Sequence, residues 1–271
     1  MGKRLLAHLA ILGLLALYML PIAWMLSTSL KPDDELFTEQ IRWIPNRIAW
    51  ENYQHALATF PFWLYLRNTL LIAGLSVVGA LLSCLPPAYA FARMRWRGRN
   101  FWFWVMLSTL MLPPQVTLLP VFLLFRTLGW VDTFLPLIVP AFLGNAFLIF
   151  MLRQFFLTLP QELIDAARLD GCSEWMILWR LVAPMSKPAV ATVALFSFVW
   201  AWTDFMNPLI YLNDSSKFTL AVGLQYFLGR HGEQWNLLMA AATVVTAPLV
   251  LLFLLTQRAY VRGITLTGLK G

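Results

Sequence analysis

With 271 residues, of which 60% are hydrophobic and only 12% charged, the chain is too apolar for a soluble domain, where about a quarter of residues carry charge. Its net charge of +7 therefore speaks of lipid headgroups and membrane topology rather than of nucleic acid. Two cysteines, Cys84 in an apolar run and Cys172 in a polar one, supply neither a disulfide framework nor a paired metal motif.

Lys3 and Arg4 ahead of an apolar segment have the look of a signal peptide. The run from Leu5 to Leu30 is far longer than an h-region of about 7–15 residues, and predicts an uncleaved first span. Five further stretches, 68–92, 101–125, 134–152, 188–213 and 237–257, are also long enough to cross about 30 Å of hydrocarbon. Together they predict an all-α, polytopic membrane protein with six transmembrane helices in a single domain. With the N-terminus inside, inner segments hold thirteen of the twenty lysines and arginines and outer segments seven. The positive-inside rule then places both termini, and the polar interval 159–187, in the cytoplasm. The cluster Arg93, Arg95, Arg97 and Arg99 contributes most to that count and is expected to anchor against anionic lipid.

The outer loop 31–67 carries Pro32, Pro45 and Pro61 with Trp43, Trp50 and Trp63, which predicts a packed cap, either receiving a soluble partner or resting on headgroups. Pro86 and Pro87, then Pro113, Pro114, Pro120, Pro136, Pro140, Pro208 and Pro248, fall inside predicted spans. Broken backbone at that depth is tolerated where protein or a water-filled cavity surrounds it. Gln115, Asn145, Asp204 and Asn207 are polar residues in the same spans and point to the same pathway, with Tyr211 as a further candidate. For Gln115 and Asn145, hydrogen bonding between helices is the alternative.

The polar interval reads as two short helices. The first starts at Pro160, with Glu162 and Asp165 in its early turns, where carboxylates suit the helix dipole. Gly171 ends it as a left-handed cap. Ser173 caps a second helix whose Trp175, Leu178, Trp179 and Val182 form one apolar stripe, and Pro184 stops it. On the first helix Leu163, Ala166, Ala167 and Asp170 share a face, and the alanines let another surface come close. A short, acid-edged helix of this kind suits a groove in another protein, the plain alternative being an ordinary re-entry loop.

No phosphate-binding G-x-x-x-x-G-K-[ST] loop occurs, the only Gly-Lys pair being Gly2-Lys3, and His8, His55 and His231 lack any ligand spacing. The chain is not expected to be an enzyme, so a transporter of this kind needs a separate cytoplasmic motor. Its rivals are an ion-gradient carrier using Asp204 and a scaffold that binds a partner without transport.

Asp165-Ala166-Ala167, three residues, Gly171, nine residues, then Leu181, one residue and Ala183-Pro184 resembles the E-A-A-x-x-x-G-x(9)-I-x-L-P signature of the membrane subunits of binding-protein-dependent ABC importers. The departures are Asp165, Leu181 and Ala183. Lys31-Pro32, Glu35, Trp43, Pro45 and Glu51-Asn52-Tyr53 are similar to the first outer loop of the carbohydrate-type permeases. So are Trp202 to Tyr211 to their fifth span, and Met239-Ala240-Ala241, Gln257-Arg258 and the end Gly268-Leu269-Lys270-Gly271 to their C-terminus. The shorter six-span permease of the maltose and glycerol-phosphate importers is the type resembled in particular.

The resemblance implies a coupling helix docked on an ATP-hydrolysing subunit. Asp165 would stand where the signature glutamate pairs with a basic residue of that subunit, with Glu162 beside it. Ala166 and Ala167 would allow close packing and Gly171 the turn. The implied partners are a second, non-identical permease subunit, two ATP-binding subunits holding ATP and Mg, an extracytoplasmic solute-binding protein and the lipid of a prokaryotic inner membrane. No cofactor belongs to the chain itself, and the implied cargo is a sugar or sugar derivative.

Overall fold

The structure, a computed structural model, describes residues 2–37, 42–228 and 234–268, with side chains over 5–37, 42–228 and 234–257. Expectations at Arg230, His231 and the tail 269–271 lie outside the described residues, as do those for the side chains of Lys3, Arg4, Arg258 and Arg262. Every regular element among the described residues is helical. In chain order these are α1 (Gly2–Ser29), α2 (Glu51–Thr59), α3 (Phe62–Arg93), α4 (Arg99–Ser108), α5 (Pro114–Thr127), α6 (Leu135–Ile138) and α7 (Ala146–Phe156). There follow α8 (Gln161–Leu169), α9 (Glu174–Ile177), α10 (Ala183–Met185), α11 (Lys187–Thr203), α12 (Met206–Tyr211), α13 (Leu220–Gly223) and α14 (Trp235–Gly268).

Four runs are long and apolar enough to cross a membrane: Leu5–Ser29, Phe62–Arg93, Leu135–Phe156 and Trp235–Gln257. Two further pairs are sharply bent, Arg99–Met111 against Pro114–Thr127 by 96° and Glu174–Met185 against Lys187–Thr203 by 87°. Along α1 every residue from 5 to 23 is exposed, so this apolar cylinder needs lipid or a partner around it.

Proline decides only some of the helix breaks: the 96° bend falls at Pro113-Pro114, as expected, but other prolines are passed through. α3 runs unbroken through Pro86-Pro87, because Leu85, Ala88 and Tyr89 on either side of the dipeptide are packed into the core. α14 likewise runs through Pro248. The breaks fall at Leu112-Pro113 ahead of α5, at Gly144 between the 3-10 turn Val139–Leu143 and α7, at Ser186, and at Asp204. Gly144 has φ +89°, ψ 152°, a backbone state essentially reserved for glycine.

Two compact units form, Met1–Leu64 with Leu220–Leu252 and Tyr65–Thr219 with Phe253–Gly271. In the first, Asn52 Nδ2 donates to the carbonyls of Ser29 (3.0 Å) and Lys31 (2.8 Å). Asn236 Nδ2 adds bonds to Lys31 O (3.2 Å) and Asp33 Oδ1 (2.7 Å). These tie α1, α2 and α14 together at the carbonyl groups that the end of α1 leaves without helical partners. Lys31, buried, lies 4.2 Å over the Trp24 ring, and Trp43 meets that ring edge-on. Trp43 thus packs one edge on Trp24 but stays half-exposed, and Trp50 and Trp63 are exposed further.

The second unit has its core where α3, α7 and α11 meet. Ala80, Cys84, Ala88 and Leu85, Tyr89, Ala92 fall at helical spacing on α3 and pack with Leu148, Leu152 and Phe156 of α7 and Ala189 and Val193 of α11. α3 also holds the broken segment before α7. Ser83 Oγ donates to Ala141 O at 2.8 Å and Ser76 Oγ to Leu137 O at 3.4 Å, satisfying carbonyls that an irregular backbone leaves open. Between the two serines, Gly79 lets the Phe142 ring come so close that an added Cβ would lie 2.6 Å from it. Gly79→Leu should therefore destabilise the protein by about 1–3 kcal/mol through overpacking. Thermal unfolding in detergent should show this, and Phe142→Ala in the same chain should restore much of the loss.

In the same unit, Asp132 (φ 62°) joins the turn before α6 to the segment after α12. Its carboxylate accepts the backbone N–H of Asn213 and Asp214, each at 3.0 Å, and Lys217 Nζ at 2.6 Å. The lysine bond first, then the two N–H groups, bring the Asp132 carboxyl down to about 2. Lys217 is raised above its ordinary value by the same bond. A depressed acid stabilises above its unfolded pKa and loses that contribution as pH falls through the folded one. Amide exchange over 213–217 should accordingly be slow above pH 4 and rise as pH approaches 2. Asp132→Asn should show the fast exchange at neutral pH.

Candidate functional site

Two helix breaks of the second unit meet at one cavity of about 340 Å³. Gly144 and Asn145 come to it from the break before α7, Asp204 and Asn207 from the break after α11, and Ser76 and Trp200 from α3 and α11. The polar residues are there because broken helices need caps. Asn145 Oδ1 accepts the N–H of Leu148 at 3.1 Å, capping α7. Asp204 Oδ1 accepts the N–H of Asn207 at 3.2 Å in the turn that opens α12, and its Oδ2 accepts Asn207 Nδ2 at 2.8 Å. Each cap satisfies an orphan donor that hydrocarbon would leave unpaired.

Of the five candidates for a pathway, the structure brings Asn145, Asp204 and Asn207 together at this cavity. Gln115 is exposed near the start of α5 and does not line it. Tyr211 is buried among aromatic rings instead, stacked on Phe122 at 6.0 Å and edge-on to Phe125 at 5.5 Å. A tyrosine's apolar body accounts for that placement. Sequence inspection missed Ser76, Ser197 and Trp200, which also line the cavity. Their spacing from Asp204, at four and seven residues back for Trp200 and Ser197 on one helix, is the signal that could have found the latter two.

The polar interval is a second, separate feature of this unit. α8 begins at Gln161, with Pro160 as the preceding cap residue. It closes in a Schellman motif: Cys172 N donates to Ala167 O and Gly171 N to Arg168 O, both at 3.0 Å, with Gly171 at φ +79°. Ser173 Oγ then accepts Met176 N at 3.3 Å and caps α9. The second helix departs from the expected form. It widens into a π-turn over Leu178–Val182 and continues through Pro184 to Met185. A widened turn gives the proline ring room that an α-turn denies, so Pro184 does not stop the helix and the corner falls at Ser186. Leu178 and Val182 are buried as the stripe requires, but Ile177 joins them and Trp175 is exposed.

Ile164, Ile177, Leu178 and Val182 insert into the core formed by α3 and α7. Around them runs a charged network. Arg168 Nε donates to Glu174 Oε1 at 2.8 Å and its Nη1 to Asp165 Oδ1 at 3.0 Å. Tyr89 OH donates to Glu174 Oε2 at 2.5 Å. Burial pushes the Glu174 carboxyl up, but the bonds from Arg168 and Tyr89 and the Arg168 charge outweigh it and hold the group below its ordinary value. The bond to Glu174 raises Arg168. Arg93 is not a lipid anchor: its Nε donates to Phe156 O at 2.9 Å and its Nη1 to Gln161 Oε1 at 2.7 Å, with Nη2 bonded to Phe156 O and Leu159 O. A guanidinium fork at the end of α7 meets carbonyls that the helix cannot satisfy itself. Arg95 and Arg97 remain exposed.

The clamp leaves one side of α8 open. Glu162, Leu163, Asp165, Ala166, Leu169 and Asp170 are exposed, and Leu169 retains 89% of its surface. The two alanines part company here, Ala166 on the open side and Ala167 against the core. Asp165 has its basic partner within its own helix, Arg168, and accepts also from Gln161 Nε2 at 3.0 Å.

Broken apolar helices around a capped cavity, with a clamped polar helix pair between α7 and α11, define an all-α polytopic membrane protein. The chain belongs to the family of binding-protein-dependent transport system inner membrane components, which it matches over residues 84–266. It is 33% identical over 254 residues to the arabinooligosaccharides transport system permease protein AraQ of Halalkalibacterium halodurans, covering 93% of this chain and 91% of that protein. To the sn-glycerol-3-phosphate transport system permease protein UgpE of Yersinia pestis it is 31% identical over 271 residues, covering 97% and 96%. In three dimensions it is similar to a chain in the crystal structure of a bacterial ABC transporter involved in the import of the acidic polysaccharide alginate. That likeness has a TM-score of 0.83 and 25% identity over 93% of this chain and 95% of the other.

Glu174→Gln removes the charge that Arg168 answers. Half-exposed pairs of this kind are worth about 1 kcal/mol at most, so the variant should fold. Amide exchange across α8 should rise up to about five-fold above pH 5, while acidification through the folded pKa of Glu174 should bring wild type to the same level.

Proposed function

We propose that this chain is a permease subunit of an ATP-driven importer that carries a sugar or sugar derivative across the inner membrane. The cargo is delivered by an extracytoplasmic solute-binding protein. A second, non-identical permease completes the membrane pathway, and two ATP-binding subunits hold ATP and Mg and do the hydrolysis, none of which falls to this chain. The family's dependence on a binding protein and the transport-system permeases among its relatives support this assignment.

The observation that carries the coupling role is α8: a helix fixed from behind by Arg93, Arg168 and the core, yet open in front at Leu163, Asp165, Ala166 and Leu169. A rigid face with exposed apolar groups transmits force to the helices behind it once a partner grips it. Six spans with both termini and the 159–187 loop in the cytoplasm accord with the four long helices, the bent pair of α4 and α5, and α11 after the loop, and with the arginine and lysine distribution. The ion-gradient alternative rests on Asp204 alone, and the bonds this group makes to Asn207 are those of a turn that caps a helix. The scaffold alternative leaves the capped cavity without a role.

Gly171→Pro forbids the left-handed turn, and Asp165→Arg places a cation against Arg168 on the docking face. Either should reduce uptake and ATPase stimulation in the reconstituted complex by more than about ten-fold, as loss of a central interface contact does, with membrane insertion intact. Normal transport by both variants would remove the coupling role.

A further inference from the structure

Relatives of this chain are named for cargoes of different charge: arabinooligosaccharides are neutral, whereas glycerol phosphate and alginate are acidic. Family membership therefore leaves the charge of the cargo open, and the cavity between the two helix breaks bears on it. We propose that this cavity receives an uncharged sugar ring and turns anionic ones away. The inference rests on the reading of the chain as a carbohydrate importer subunit.

Its volume of about 340 Å³ lies at the lower end of the range of about 300–1,000 Å³ in which small-molecule sites fall. Its polar groups suit hydroxyls. Asp204 is an acceptor with lone pairs beyond those used by Asn207, and Asn145 and Asn207 carry amides able both to donate and to accept. Trp200, 44% exposed, offers a flat apolar surface on which the C–H face of a sugar ring can rest.

The charge preference follows from what is absent from this lining as much as from what is present. Among the described residues that line the cavity none is a lysine, arginine or histidine, and the single charged side chain is the carboxylate of Asp204. A uronate or phosphate entering here would bring a second negative group beside Asp204 with no counter-charge from this chain's lining, in surroundings that screen poorly. A neutral ring meets no such opposition.

The test uses the assembled transporter in proteoliposomes, with Cys84 and Cys172 replaced and a reporter thiol introduced by Ala201→Cys, a position that lines the same cavity. Cationic and anionic methanethiosulfonates of matched size are compared, each rate normalised to a free thiol. The cationic reagent should react about ten-fold or more faster, since a cleft lined by one sign of charge concentrates the other, and Asp204→Asn should abolish the difference. A neutral arabino-oligosaccharide presented with the binding protein should slow labelling, an oligogalacturonate should not, and Trp200→Ala should remove the protection. Equal rates for the two reagents, or protection by the oligogalacturonate, would overturn the inference while sugar uptake continued. If the complex accumulated no sugar of either kind with ATP, the importer reading itself would fall.

Discussion

A peptide backbone that leaves the helix inside an apolar layer must bring its own hydrogen-bond partners, because hydrocarbon provides none. That requirement accounts for more of this structure than any other. Asn145 and Asp204 cap the helices that resume after the breaks at Gly144 and Asp204. Ser76 and Ser83 take up carbonyls of the irregular segment between them and α7. Breaks attract polar side chains, and two breaks face one cavity, so the same residues that repair the backbone make the cavity hydrophilic. Structure and transport chemistry here share a single cause.

The polar helix pair is attached by two kinds of contact, and magnitudes say which dominates. Ile164, Ile177, Leu178 and Val182 are each at most 1% exposed, and burying an aliphatic side chain of this size stabilises by about 1.5–3 kcal/mol. The ion pairs of Arg168 are a third or more exposed, where about 0–1 kcal/mol is usual. Packing therefore holds α8 and α9 in place. The charged network and the Arg93 fork instead fix their orientation, since a bidentate guanidinium tolerates few geometries.

Much of this was legible in the residue order. Long uncharged runs announced membrane helices, and Gly171 and Ser173 marked the end of one loop helix and the start of the next through local chemistry that distant packing does not alter. Proline misled. Pro86-Pro87 and Pro184 lie inside continuous helical paths because their neighbours are packed or the turn is widened, and neither circumstance is visible locally. Arg93 looked like one of four equivalent arginines, and only the arrival of α7 and Gln161, more than sixty residues later, distinguishes it from Arg95 and Arg97. Tyr211 was singled out by its neighbours in sequence and proved to belong with Phe122 and Phe125, a pairing set by chain folding over many residues.

The pair of serine hydroxyls on α3 limits where this unit can flex. Separating residues 135–143 from α3 would break bonds for which the surroundings offer no replacement, and would withdraw Phe142 from the recess at Gly79. Those parts must move as one lever. The corner at Ser186 is different. Its hydroxyl is buried without a partner among the described residues, and the turn there is made by two carbonyls sharing one N–H, an arrangement that tilts either way at little expense. A stroke begun at α8 would therefore change the angle at that corner before it changed the shape of the lever.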